Sequence, residues 1–257
     1  MTIFQSIILG IIEGFTEFLP ISSTGHLVLT SYLLKLEQSN FLKSFEIAIQ
    51  LGAIFGVVAL YFKRFLLNPD VIKKIIVAFL PTAVIGFLFY GLIKNIFLGS
   101  ESLVVWSLFF GGLALIVFEF WYRGRERTGE IDVDSVSYKQ CFIIGLFQAI
   151  SVIPGVSRAG ATILGGLWLG IPRKTIVEFS FLLAIPTMAG ATGLDLIKNF
   201  SSFSDGQTTI MAVGFAISLA TALISIKFLL HFIQKNTFVP FGIYRIILAV
   251  VFLLFLM

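Results

Sequence analysis

One polar, ionisable motif occurs twice in this chain, each time inside otherwise apolar sequence. The first copy runs Gly10-Ile11-Ile12-Glu13-Gly14-Phe15-Thr16-Glu17-Phe18-Leu19-Pro20-Ile21-Ser22-Ser23-Thr24-Gly25-His26. The second runs Gly145-Leu146-Phe147-Gln148-Ala149-Ile150-Ser151-Val152-Ile153-Pro154-Gly155-Val156-Ser157-Arg158-Ala159-Gly160-Ala161-Thr162. Each begins with a glycine followed three residues later by Glu or Gln, breaks at a proline, passes through hydroxyl residues and resumes an apolar helical pattern. Ionisable groups at membrane depth are costly, so those that persist there mark function. A motif repeated in two halves and interrupted by Pro and Gly points to a midplane site built from broken helices.

That reading requires a membrane chain, and the composition supplies one. The protein is 58% hydrophobic and 12% charged, with a mean hydropathy of +1.01. A soluble domain is about 45–50% apolar and about 25% charged. The net charge of +4 does not indicate nucleic acid, because the Lys and Arg residues fall in short loops. Residues 1–20 lack a basic start and a small-residue cleavage site and carry Glu13 and Glu17, so they read as mature structure rather than a signal peptide. The lone Cys141 excludes an internal disulfide and a cysteine metal cluster. It reads as a small apolar residue at a helix start.

A spanning helix needs about 20 mostly apolar residues. Six stretches qualify, at residues 45–62, 75–95, 102–122, 177–197, 209–231 and 238–257. The motif regions, 4–33 and 140–171, read instead as pairs of short arms, which suits re-entrant hairpins buried in protein. The expected fold is therefore all-α and polytopic, with six transmembrane helices, two re-entrant helical hairpins and an inverted-topology repeat. Residues 1–122 form one half, 123–139 a polar cytoplasmic linker, and 140–257 the second half. Charge asymmetry orients it. With the first hairpin entering from outside, Lys63, Arg64, Lys73, Lys74, Arg123, Arg125, Arg127, Lys139, Arg173, Lys174, Lys227 and Lys235 fall inside. Only Lys35, Lys43, Lys94 and Lys198 fall outside, which puts both termini there too. Glu46 and Glu178 each open the span after a hairpin, as site acids or as interface anchors, while Glu119 and His231 read as interfacial.

Within the motifs, Glu13 and Glu17 share one helical face at i and i+4. Two carboxylates this close in a poorly solvated site can share a proton or hold a divalent cation. Ser22, Ser23, Thr24 and Gly25 read as the capped N-terminus of a helix, a ready anion site. Ser157, with Gly155 before it and Thr162 after, repeats that geometry and adds Arg158, whose planar fork suits phosphate oxygens. Arg158 could instead pair with Glu13 or Glu17. His26 follows the two serines by about one turn. Acids, hydroxyls, one His, one Arg and two helix N-termini together suit hydrolysis of a phosphate ester or anhydride within a membrane.

The stretch Glu13 to His26 resembles the first signature of the BacA-type undecaprenyl-diphosphate phosphatases, and Pro154 to Thr162 resembles their second. The resemblance extends over essentially the whole chain. One departure is Ala159, where the family usually has Ser, so no nucleophilic or proton-transfer role falls to that position. The resemblance implies hydrolysis of undecaprenyl diphosphate to undecaprenyl phosphate and inorganic phosphate, which recycles a cell-wall lipid carrier and confers bacitracin resistance. It further implies a bacterial cytoplasmic membrane, a site open to the extracytoplasmic side, a polyprenyl diphosphate substrate among membrane lipids, and Mg²⁺ or Ca²⁺ dependence. A homodimer is admissible. On this reading Ser23 is nucleophile or phosphate anchor, His26 general acid/base, Arg158 the clamp, and Glu13 and Glu17 metal ligands, with Glu17 also able to activate water directly. Ser22, Thr24, Gly25, Gly155, Ser157 and Thr162 bind substrate. A transporter or flippase of a prenyl-phosphate lipid or another anion is the alternative.

Overall fold

The computed structural model describes residues 1–37, 39–66, 68–89, 101–125, 131–199 and 205–255. Lys94 and Arg127, two of the charges used for orientation, lie outside the described residues. Ten α-helices and no strands occur among those described: α1 (Ile3–Thr16), α2 (Ser23–Leu33), α3 (Asn40–Leu66), α4 (Pro69–Leu88), α5 (Glu101–Tyr122), α6 (Tyr138–Ala149), α7 (Arg158–Trp168), α8 (Arg173–Asn199), α9 (Asp205–Phe232) and α10 (Val239–Phe255).

Of the six expected spans, four are long and apolar enough to cross a membrane: Asn40–Lys63, Pro69–Leu88, Glu101–Tyr122 and Gly206–Phe232. The other two expected spans fall on α8, which carries Arg173, Lys174, Glu178, Asp195 and Lys198, and on α10, described over 17 residues.

Both motifs fold as the sequence predicts, into two short arms with a break between. The arms are built alike. Each first arm opens on a capping box, Thr2 with Gln5 in α1 and Ser137 with Gln140 in α6. Each second arm opens on a serine whose hydroxyl accepts from the amide three residues on: Ser22 from Gly25 at 3.3 Å, and Ser157 from Gly160 at 3.1 Å. Each second arm closes through a left-handed residue, Lys35 at φ 52° and Gly170 at φ 74°. In the first break Phe18, Leu19 and Ile21 are buried in the largest core cluster, where Phe18 meets Phe181 of α8 edge-on at 5.4 Å.

The helices that follow the two motifs interlock with them: α1 lies along α9, and α6 lies along α4, so the first arm of each motif packs on a long helix that follows the other motif. α3 packs on α8, and α5 on α10. Small residues permit these close approaches, as is usual between membrane helices. A Cβ on Gly14 would stand 2.2 Å from the Ser218 carbonyl oxygen of α9, and one on Gly145 2.2 Å from that of Ala78 in α4. Hydroxyls add cross-helix bonds to backbone: Ser6 donates to the Ile210 carbonyl, Ser225 to that of Phe15, and Ser218 to that of Ile49.

Glu119, read as interfacial, lies near the end of α5. It is buried, takes both guanidinium arms of Arg173, and accepts from the Phe238 amide at 2.8 Å. A carboxylate at the end of α5 thus ties down the starts of α8 and α10.

Candidate active site

The breaks at Pro20 and Pro154–Gly155 bring the N-termini of α2 and α7 to one cavity. Gly155 sits at φ +89°, and a Cβ there would come 2.6 Å from the Val104 carbonyl oxygen, so this turn requires glycine. Ser22 is also left-handed, at φ 70°. A non-glycine residue there stores about 1 kcal/mol or more and persists only where its surroundings hold it. His26 supplies part of that hold, with Nδ1 2.8 Å from the Ser22 carbonyl oxygen. A ring nitrogen bonded to a carbonyl carries the proton, so Nε2 of the neutral ring accepts from the Tyr244 hydroxyl at 2.7 Å. The two rings stack at 5.5 Å.

Once Ser22 turns the chain, the Ser23 hydroxyl donates to Oε2 of Glu17. The other oxygen of Glu17 accepts from Arg158 Nη2 at 2.9 Å. Arg158 Nη1 donates to the Ser180 carbonyl at 2.8 Å, and its Nε has no hydrogen-bond partner among the described residues. Glu17 of the first motif therefore joins a serine of its own motif to the arginine of the second. All three side chains are nearly excluded from solvent, where a charge-assisted pair is strong and an unpaired charge is costly. The Arg158–Glu17 pairing left open by the sequence is present.

The cavity, of about 200 Å³, is lined by Glu17, Ser22, Ser23 and Thr24 from the first motif and by Ser151, Ser157 and Arg158 from the second. The remaining expected site residues surround it without lining it. Thr162 donates to the Arg158 carbonyl at 2.9 Å and so braces the first turn of α7. A Cβ on Gly25 would meet Leu108 at 3.3 Å, so the start of α2 lies close against α5. His26 reaches the Ser22 backbone and Tyr244 rather than either serine hydroxyl, because its ring turns toward α10.

Other cavity residues, Gln50 and Thr187, were missed. Gln50 lies one turn after Glu46, and Thr187 follows a mid-helix proline, both polar positions in apolar runs. Glu46, read as a site acid or an interface anchor, does not line the cavity and accepts from Ser31 at 3.1 Å. Tyr244 and Arg245 were missed too, although Arg245 is a lone basic residue within an apolar helix, a signal of the same kind that marked the motifs.

Glu13 is fully buried, and neither of its oxygens has a hydrogen-bond partner among the described residues. Its carboxyl group stands against that of Glu17, with Glu46 and Arg158 also acting on it. Its counterpart Gln148 is satisfied on one side, donating to Thr82 at 2.8 Å and to Thr187 at 3.2 Å. Arg158 bonds Glu17 and not Glu13, so the second carboxyl group calls for a proton or a cation. No group of three His, Cys, Asp or Glu residues gathers among the described residues. Magnesium needs fewer, since it commonly takes one or two carboxylates and completes its shell with water and substrate phosphate. The donor set at Glu13 and Glu17 fits such an ion.

A family model described as bacitracin resistance protein BacA matches residues 6–251. The undecaprenyl-diphosphatase of Persephonella marina is 50% identical over 257 residues, covering 100% of both chains. That of Sulfurihydrogenibium sp. is 49% identical over 257 residues, and that of Aquifex aeolicus 49% identical over 255, each covering 99% of both chains.

Proposed function

The chain belongs to the BacA family of bacitracin resistance proteins, and on that premise we propose that this multi-pass membrane protein is itself an undecaprenyl-diphosphatase. It cleaves undecaprenyl diphosphate to undecaprenyl phosphate and inorganic phosphate. The observation that carries the assignment to this site is Glu17, held between the hydroxyl of Ser23 and the guanidinium of Arg158 at a cavity faced by two helix N-termini.

Ser23 already donates to Glu17, so the proton it must lose has a receiver in place. Its oxygen attacks the terminal phosphorus, the proton passes to Glu17, the bridging P–O bond breaks, and undecaprenyl phosphate leaves. Water then attacks the phosphoserine, and Glu17 returns its proton to the serine oxygen. Arg158 neutralises Glu17 until substrate arrives. Turning its fork to the phosphoryl oxygens stabilises their developing charge and at the same time frees Glu17 to act as base. The N-termini of α2 and α7, with Thr24 and Ser157, offer further donors to the diphosphate. Glu13 and Glu17 would hold a divalent cation, which when bound supplies charge neutralisation to the diphosphate. His26 acts on the backbone of Ser22, not as the base for Ser23.

The likeness in build of the two motifs, and the packing of each first arm on the other half, support an inverted repeat. It comprises six transmembrane helices and two re-entrant hairpins, with halves 1–122 and 140–257 joined by linker 123–139. The positive-inside asymmetry supports a cytoplasmic-membrane setting with the site open to the extracytoplasmic side.

Protein purified in detergent, with no gradient across it, is expected to release inorganic phosphate from undecaprenyl diphosphate. Substrate labelled in the terminal phosphate should leave acid-stable label on the wild type in a single turnover and none on Ser23→Ala. Binding without phosphate release would reassign the chain to transport of the lipid. Turnover without labelled protein would give the attack to water and leave Ser23 as a phosphate ligand.

A further inference from the structure

We propose that Arg245 is a positioning residue that joins the two hairpin breaks and thereby sets the distance between the catalytic groups of the two motifs. The inference deepens the phosphatase reading above and rests on it for its activity readout.

Arg245 is 2% exposed, and the acceptors of its hydrogen bonds are backbone carbonyls. Nη1 donates to Pro20 at 3.3 Å, and Nη2 to Gly155 at 3.0 Å. These are the residues at which the first and second hairpins break. Nε donates to Leu108 at 3.2 Å, and Nη2 also to Ser107 at 2.9 Å, which fixes both breaks to α5. One rigid fork thus spans three separate stretches of chain. Carbonyls freed by a break at membrane depth require donors from neighbouring protein, and only a guanidinium offers enough N–H groups in fixed directions. Its neighbour Tyr244 holds His26, and through it the Ser22 carbonyl. Consecutive residues of α10 therefore reach both sides of the site without lining the cavity.

The slot for this side chain is built by glycine. A Cβ on Gly111 would stand 2.1 Å from Nη2 and 2.7 Å from Cζ of Arg245. Glycine in a helix interior costs about 1 kcal/mol relative to alanine, so its use in α5 fits the need to admit the guanidinium. Moving Arg245 would let Pro20 and Gly155 drift apart, and with them Ser23 and Glu17 from Ser157 and Arg158.

The test uses spin labels on cysteines placed at Tyr32 and Trp168, exposed positions on the arms that follow the two breaks. The native Cys141 is buried. The distance between labels is measured in full-length protein in detergent, alongside kcat and KM for undecaprenyl diphosphate. Arg245→Lys keeps the charge and loses the fork, while Gly111→Ala keeps Arg245 and fills its slot. Both should broaden the distance distribution and lower kcat about 10-fold to 10²-fold with KM within about twofold. Gly86→Ala, where a Cβ meets nothing within 4 Å, should change neither. Wild-type kcat and wild-type distance in Arg245→Lys would overturn the proposal. A fallen kcat with an unchanged distance would overturn it as well, by making Arg245 a source of charge alone. Should Arg245→Lys fail to fold, Gly111→Ala carries the same decision. The distance needs no substrate, so a wild type that fails to hydrolyse the lipid would sink the phosphatase reading while the distances still judged the role of Arg245.

Discussion

Glu17 accepts from both motifs at once, which makes it the most exacting residue to change. Glu17→Gln removes the base for Ser23 and leaves Arg158 with an uncompensated buried charge. Turnover is expected to fall at least about 10²-fold, with a lowered thermal midpoint in detergent as the sign of the orphaned arginine. Arg158→Lys separates the two effects, because it keeps the charge against Glu17 but cannot also reach the Ser180 carbonyl in the fork geometry. Its midpoint should stay near the wild type while kcat drops about 10²-fold, the usual scale for losing a donor that stabilises developing charge. Near-wild-type turnover in this variant would mean that the phosphate is held elsewhere. His26 gives a sharper contrast. If its ring serves to hold the Ser22 carbonyl, His26→Asn, whose amide can donate from a similar position, should retain clearly more kcat than His26→Ala. Equal loss in both would return to His26 the acid–base role that the sequence suggested. The sequence singled out Glu17, Ser23 and Arg158, and the structure brings their side chains together at one cavity. The direction of the His26 ring was not legible, because its partner Tyr244 lies more than two hundred residues away and carried no motif of its own.

The arms of the hairpins were legible because Pro, Ser and Gly interrupt apolar runs, and such interruptions have few folded solutions in a membrane. What the arms pack against was not legible. The glycines that open the two motifs, Gly10 and Gly145, lie inside helices pressed against the backbone of α9 and α4, and Gly14 is pressed against α9 as well. Gly14→Ala would force a Cβ to within 2.2 Å of the Ser218 carbonyl oxygen and 2.1 Å of Thr221 Oγ1. Backbone cannot yield as a side-chain tip can, so a loss of about 1–3 kcal/mol or more is expected, despite the better helix propensity of alanine. A thermal unfolding series comparing Gly14→Ala and Gly86→Ala with the wild type would show this as a lowered midpoint in the first alone. A midpoint unchanged in both would mean that α1 and α9 are not held in close register. Arg245 was missed for the opposite reason. It stands alone in an apolar helix, and a single basic residue near a chain end is readily taken for an interface anchor until its carbonyl partners are seen.

The two motifs supply unlike chemistry on like frames. The first carries Glu13, Glu17, Ser23 and His26, while the second answers with Gln148, Ser157 and Arg158. Gln148 stands where the first motif has Glu13, and Arg158 where it has Ser23, so like frames bring an acid of one motif and a cation of the other into direct contact at one cavity. The inverted arrangement proposed for the two motifs would account for this placement, by bringing two helix N-termini to one depth from opposite faces of the membrane. The orientation expected from charge can be measured directly. Lys139, at the end of the linker, and Glu37, after α2, are both exposed, so cysteines there label wherever the reagent has access. The buried Cys141 should stay silent as background. In intact cells a membrane-impermeant maleimide is expected to label Glu37→Cys and to spare Lys139→Cys until the membrane is opened. The opposite pattern would turn the molecule over and place the cavity mouth on the cytoplasmic side. A chain in which both sites label in intact cells would contradict the odd number of crossings that an inverted repeat requires between them.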